Sequence, residues 1–192
     1  MLKKIIRPFT NPFFIFELDL DIQKMASDIE NDIKKDDGVV KTNVGGWQSN
    51  DVKSTEAVKP LVNAIKNYSN ILQNETGITK LFLVNLWVNI NNKYNFNKPH
   101  IHGTSHLSGV FYVQTPEDSG KINFTDPRVV NSMNQLCKFK NHNLFNMTNL
   151  YFEPKANTMI IFPSYMSHYV EPSQSNETRI SISFNMRGEN AE

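Results

Sequence analysis

Residues 80–91 read KLFLVNLWVNIN, and this stretch decides the fold. Phe82, Val84, Leu86, Val88 and Ile90 recur at every second position, the period of a strand with one buried face. Short strands with turns between them follow it: Leu107–Gln114, Lys121–Thr125 after a turn at Pro116–Gly120, Leu150–Glu153, Thr158–Phe162, Tyr169–Glu171 and Arg179–Asn185. Upstream, the pattern differs. Phe13–Leu20 suits one strand, but Ile22–Ile33 and Thr55–Leu72 place apolar residues at helical spacing. Pro60 falls in the first turns of the second helix, where proline is tolerated. Gly45–Ser49 reads as a loop, and 131–149 as a long polar loop or insertion. The expected fold is mainly β (α+β): about seven or eight antiparallel strands with short turns, forming a jelly-roll or barrel packed on N-terminal helices. Residues 1–192 are read as one domain, with a strand and helices in 1–79 and the β core in 80–186, interrupted by an insertion at about 129–149.

Composition narrows the function. The single Cys excludes an internal disulfide scaffold and a Cys-rich zinc module. A formal charge of +1 gives no bulk attraction to a polyanion. No apolar run approaches the ~20 residues of a membrane span, and Arg7, Pro8 and Pro12 break up any leader-like apolar stretch. A cytoplasmic protein is expected, and the Asn-x-Thr triplets at Asn74, Asn146 and Asn176 are then incidental to a chain with 25 Asn.

Five His remain, enough for one metal site. In a strand, His100 and His102 of the HIH stretch would point to one face, and His168 opens a late strand. Imidazole ligands suit Fe(II), Zn, Cu or Ni. His106 and His142 are read as bystanders. Arg179, Ser181 and Ser183 share one face of RISISFN, opposite Ile180, Ile182 and Phe184. An inward Arg179 needs an anionic partner: either a bound carboxylate or a salt bridge with Asp126 or a nearby Glu. Tyr112 could donate to the same carboxylate or simply pack. Asp126 and Arg128 flank Pro127 at a strand end, as a functional pair or as an Asp turn cap.

The stretches Trp87–Asn89, Asn97–His102 (NKPHIH), Leu107–Tyr112 (LSGVFY) and Gly120–Arg128, with the closing IIFPSYMSH and RISISFN, resemble one family in their order and content. Gly45–Ser49 (GGWQS) is similar to it as well. The family is that of the 2-oxoglutarate/Fe(II)-dependent oxygenases found in bacteria and marine tailed phages, and the resemblance spans nearly the whole chain. It implies a double-stranded β-helix (jelly-roll or cupin-like) with Fe(II) at its open end, 2-oxoglutarate and O2, with C–H hydroxylation and release of succinate and CO2. It would place the protein in the cytoplasm of a bacterium or a phage-infected host. His100 takes the position of the first His and His168 that of the distal His. Arg179 would bind the distal carboxylate of 2-oxoglutarate, assisted by Tyr112, with Ser181 and Asn123 also assigned to co-substrate binding.

His102 departs from the superfamily, standing where it usually has a carboxylate. The site is expected to be three-His, with Asp126 as the alternative carboxylate ligand, or with water in place of one His. Gly103, Thr104, Ser105, Ser108 and Asn123 would lie near the mouth, and 131–149 would be a lid or substrate surface. The expected substrate is a small molecule or a protein side chain, with no membrane and no strong nucleic-acid signal. The rival readings are a cupin-like metal protein or metalloenzyme without 2-oxoglutarate, and a non-catalytic phage protein with a degenerate oxygenase fold.

Overall fold

In the computed structural model, described for residues 4, 10–128, 138–141, 143 and 146–189, the KLFLVNLWVNIN stretch forms β4 (Leu81–Asn91). It pairs along its length with the last strand, β11 (Arg179–Gly188). The other strands are β1 (Phe14–Glu17), β2 (Asn43–Val44), β3 (Trp47–Gln48), β5 (Phe96–His100), β6 (Leu107–Gln114), β7 (Ile122–Thr125), β8 (Asn149–Phe152), β9 (Thr158–Pro163) and β10 (His168–Val170). They form a six-stranded sheet, in the order β1-β9-β6-β11-β4-β3, and a five-stranded sheet, in the order β2-β5-β10-β7-β8. Every pairing is antiparallel. This is the expected jelly-roll architecture. More strands are described than the sequence pattern gave, because β2 and β3 are two-residue edge strands and β5 carries no alternation of its own.

The large sheet is covered on both faces, which explains its apolar content. Leu86, Val88 and Ile90 of β4, Phe111 and Val113 of β6, and Ile180, Ile182 and Phe184 of β11 point to the helical side. There they meet Met25 of α1 (Ile22–Asp28), Ile29 of the π-helical turn that continues it, and Leu61, Ile65 and Leu72 of α2 (Lys59–Thr76). Each such side chain contributes roughly 1.5–3 kcal/mol by leaving water. Gly109 lies under the ring of Phe184, its cross-strand neighbour, and any Cβ there would strike that ring. A smaller cluster of Val110, Ile122, Phe124, Ile160, Phe162 and Met166 packs between the two sheets.

The alternation of β4 does not hold to its start. Asn85 pairs with Asn185 but Leu83 with Met186, so Val84 is an extra, bulged residue. The bulge reverses the phase: Leu83 and Leu81 pack on the core while Phe82 is 44% exposed. The Lys53 ammonium donates to the carbonyl of Val84. Phe82 and Val84 therefore do not share the core face of Leu86, contrary to the simple two-residue period.

Gly45–Ser49 also differs from its reading as a loop. Gly45 takes φ +74° and lets the chain pass from β2 at the edge of one sheet to β3 at the edge of the other. Cys137, His142 and most of the expected lid lie outside the described residues.

Candidate active site

β10 is central in the five-stranded sheet, and His168 on it is paired with His100 on β5 and with Phe124 on β7. β5 ends at His100, so His102 reaches the same point from the turn that follows rather than from the strand itself. One nitrogen from each of His100, His102 and His168 lies within 4.8 Å of the others, and Asp126 is not in the cluster. The Nδ1 of His100 lies 2.7 Å from the Lys98 carbonyl, and that of His168 lies 2.9 Å from the Met166 carbonyl. A carbonyl only accepts, so both Nδ1 atoms carry the hydrogen and both Nε2 atoms keep a lone pair. Burial holds all three imidazoles below their ordinary pKa, and His168, packed against Phe124 and Phe162, is pushed down to about 3. They are neutral at neutral pH, as metal ligands must be.

The floor of the site is the inner face of β4 and β11, where alternation turns Asn85, Trp87, Asn89, Arg179, Ser181, Ser183 and Asn185 away from the helices and into a cavity of about 260 Å³. The polar groups brace one another. Asn89 donates to Ser183 at 3.0 Å, and Asn185 donates to Asn85 at 3.0 Å. The Asn185 oxygen lies 2.5 Å from His102 Nδ1 and accepts from Ser108, whose hydroxyl also meets Ser164.

Arg179 is 2% exposed at the other end of this face. One guanidinium nitrogen donates to the Ser119 and Gly120 carbonyls, at 2.6 and 3.0 Å, while Nε has no partner among the described residues. Burial lowers its pKa, and no carboxylate among the described residues opposes that shift. Gly120 has φ +88°, and a Cβ there would strike the Glu171 carbonyl and come to 3.4 Å from Arg179. Only glycine lets the turn carry those carbonyls to the guanidinium. Tyr112, opposite Ser181 on β6, lines the cavity near Arg179, and burial pushes its phenol up to about 12, so it remains a neutral donor.

Two expectations are corrected. Asp126 is held by Arg128, whose Nε lies 2.9 and 3.0 Å from its two oxygens, and this partner lowers its pKa. It is neither a ligand in the cluster nor a partner of Arg179. Asn123 faces away from the cavity, because its neighbours Ile122 and Phe124 take the inward positions; its amide donates to Glu171 at 3.0 Å.

The other candidates divide. Ser181 does line the cavity, whereas Ser108 is fully buried behind it. Gly103 and Thr104 are exposed in the turn beside His102, with Ser105 half-buried. His106 stands apart, accepting from the Gly188 amide at 3.0 Å. Sequence reading missed Lys41, Thr42, Gln48 and Asn97 in the lining. Asn85 and Asn89 were legible from β4 itself: they alternate with its apolar residues on a strand too apolar to face water.

A neutral three-imidazole cluster fits a divalent transition metal. A buried arginine with a free Nε and no acid fits a bound carboxylate in the same cavity. Together they define a site for a metal ion and an anionic co-ligand inside an antiparallel double sheet. Comparison supplies the family. The pattern of the family described as "Putative 2OG-Fe(II) oxygenase" matches residues 85–185, more than half of the chain. The chain belongs to this family, and so is an oxidoreductase with Fe(II) as cofactor and 2-oxoglutarate as co-substrate.

No curated protein matches the sequence. Solved structures similar in fold include a prolyl-4-hydroxylase from Pseudomonas putida, at TM-score 0.63 and 14% identity, covering 94% of this chain and 95% of that one. The viral collagen prolyl hydroxylase of Paramecium Bursaria Chlorella virus-1, in a 2-oxoglutarate complex, has TM-score 0.62 and 14% identity, covering 92% and 96%. HygX from Streptomyces hygroscopicus, with nickel and 2-oxoglutarate bound, has TM-score 0.63 and 9% identity, covering 93% and 84%. No described helix is long and apolar enough to cross a membrane.

Proposed function

We propose that the protein is a 2-oxoglutarate-dependent dioxygenase that hydroxylates a C–H bond of a small molecule or a protein side chain. In this reaction 2-oxoglutarate, O2 and R–H give succinate, CO2 and R–OH. His100, His102 and His168 would hold the iron through Nε2. Arg179 would take the distal carboxylate of 2-oxoglutarate with its unsatisfied guanidinium edge, and Tyr112 would donate to the same group. The iron supplies the oxidative chemistry once 2-oxoglutarate and O2 are bound. The protein would orient the co-substrate between the histidines and Arg179.

The observation that carries this reading is one cavity lined by both the His cluster and a buried arginine with no acid beside it among the described residues. A cupin-like metal protein has no need of that arginine. The test is succinate formation from 2-oxoglutarate with Fe(II) and O2, in wild type and His168→Ala, with direct binding of 2-oxoglutarate measured alongside. Iron-dependent succinate lost in the variant supports the oxygenase. A protein that binds Fe(II) but neither binds nor turns over 2-oxoglutarate is the cupin-like alternative.

A further inference from the structure

His100 and His168 have their tautomers set by backbone carbonyls, which any side chain at the supporting residue would supply. His102 differs: its Nδ1 is held by a side chain, the amide of Asn185, at 2.5 Å. We propose that Asn185 is the positioning residue that makes His102 a ligand, by accepting the Nδ1 hydrogen and so leaving Nε2 free toward the metal position. The inference rests on the reading of His102 as a ligand, and goes beyond it by naming what fixes that ligand.

An amide offers an oxygen that accepts or an NH2 that donates. Asn185 Nδ2 donates to Asn85 Oδ1 on the neighbouring strand at 3.0 Å, which turns Oδ1 toward His102. The same oxygen accepts from Ser108 at 2.7 Å, and Ser108 is steadied by Ser164 at 2.8 Å. With all four groups buried or half-buried, rotating the amide would cost several of these bonds at once. The reversed amide would donate to Nδ1, force the hydrogen onto Nε2 and leave His102 unable to ligate. His102 lies in the turn beyond the end of β5, without the strand register that fixes His100, so it depends most on a side-chain anchor. Trp87, with its ring 5.6 Å from the imidazole, limits tilt but sets no tautomer.

The test reads the tautomers directly, by imidazole nitrogen chemical shifts in the metal-free protein at neutral pH, together with Co(II) affinity. In wild type, His102 is expected in the Nδ1–H form, like His100 and His168. Asn185→Leu should shift His102 alone toward the Nε2–H form and weaken Co(II) about 10- to 100-fold. Asn185→Asp, which keeps the acceptor, should retain the wild-type tautomer and Co(II) affinity within a few-fold. An Nε2–H His102 in the wild type overturns the proposal, as does a folded Asn185→Leu with unchanged tautomer and affinity. Equal loss of affinity in the Asp and Leu variants also overturns it, because the residue would then matter only for packing. Should Asn185→Leu not fold, the wild-type shifts and the Asp variant still decide. A wild type that shows the Nδ1–H form yet binds no Co(II) sinks the metal reading while leaving the Asn185–His102 bond established.

Discussion

His100 and His168 are direct cross-strand partners on β5 and β10, with ring centroids 4.3 Å apart. Two strands far apart in sequence therefore meet at the metal position, and their register shifts only beyond it, between His168 and Val170. His168→Ala is expected to weaken Fe(II) or Co(II) binding by at least about 100-fold. His106→Ala, which removes an acceptor for the Gly188 amide outside the cluster, should leave metal affinity unchanged. Metal titration of the two variants under anaerobic conditions checks both statements.

The three buried imidazoles give the metal-free protein an acid sensitivity. All three are shifted down, His168 to about 3. Between pH 6.5 and that value the unfolded chain takes up protons that the folded one refuses, so stability falls as pH falls. The stabilisation is full above about pH 6.5, the unfolded value, and is lost as pH falls towards 3. Thermal melts of the apo-protein from pH 7 to pH 4 should show Tm falling by at least about 5 °C. His168→Gln should flatten that dependence, and a slope identical to wild type would contradict it.

Arg179 carries the co-substrate prediction. Arg179→Ala should weaken 2-oxoglutarate binding about 100-fold, the usual scale for losing one side of a buried, charge-assisted pair. Fe(II) affinity should stay within a few-fold. Arg179→Lys should recover part of the loss only, since an ammonium cannot both hold the Ser119 and Gly120 carbonyls and present a planar two-nitrogen edge. Calorimetry with each variant separates these outcomes.

Gly120 links fold and site. Gly120→Ala must accept a left-handed backbone and a Cβ against the Glu171 carbonyl. A loss of roughly 1–3 kcal/mol is expected, measured by urea denaturation. Because the displaced turn also supplies the carbonyls that hold Arg179, 2-oxoglutarate affinity should fall in step.

Much of this was legible in the sequence, and the misses have physical causes. The inward face of RISISFN followed from period two alone, because both faces of β11 are covered and the apolar residues take the helical side. His100, His102 and His168 could be placed together from their spacing and the expected architecture. Asp126 could not be excluded from sequence, because its capture by Arg128 two residues away is a local choice that spacing does not reveal. The alternation of Ile122 and Phe124 turns Asn123 away from the cavity and toward Glu171, a phase that its place near the mouth does not reveal. Phe82 fell to a bulge at Val84, where a single unpaired residue reverses the pattern. Lys41, Thr42 and Gln48 reach the cavity because two short edge strands bring their segment across the mouth, a pairing with no periodic signal of its own.

The joint role of the histidine cluster and Arg179 is tested most directly by anaerobic 2-oxoglutarate binding, with and without Fe(II), in wild type and Arg179→Ala. Tight binding is expected only when iron and Arg179 are both present, because the histidine-held metal and the guanidinium would take opposite ends of the co-substrate. An affinity for 2-oxoglutarate that stays the same when Fe(II) is left out, or when Arg179 is replaced in the iron-loaded protein, contradicts this assignment.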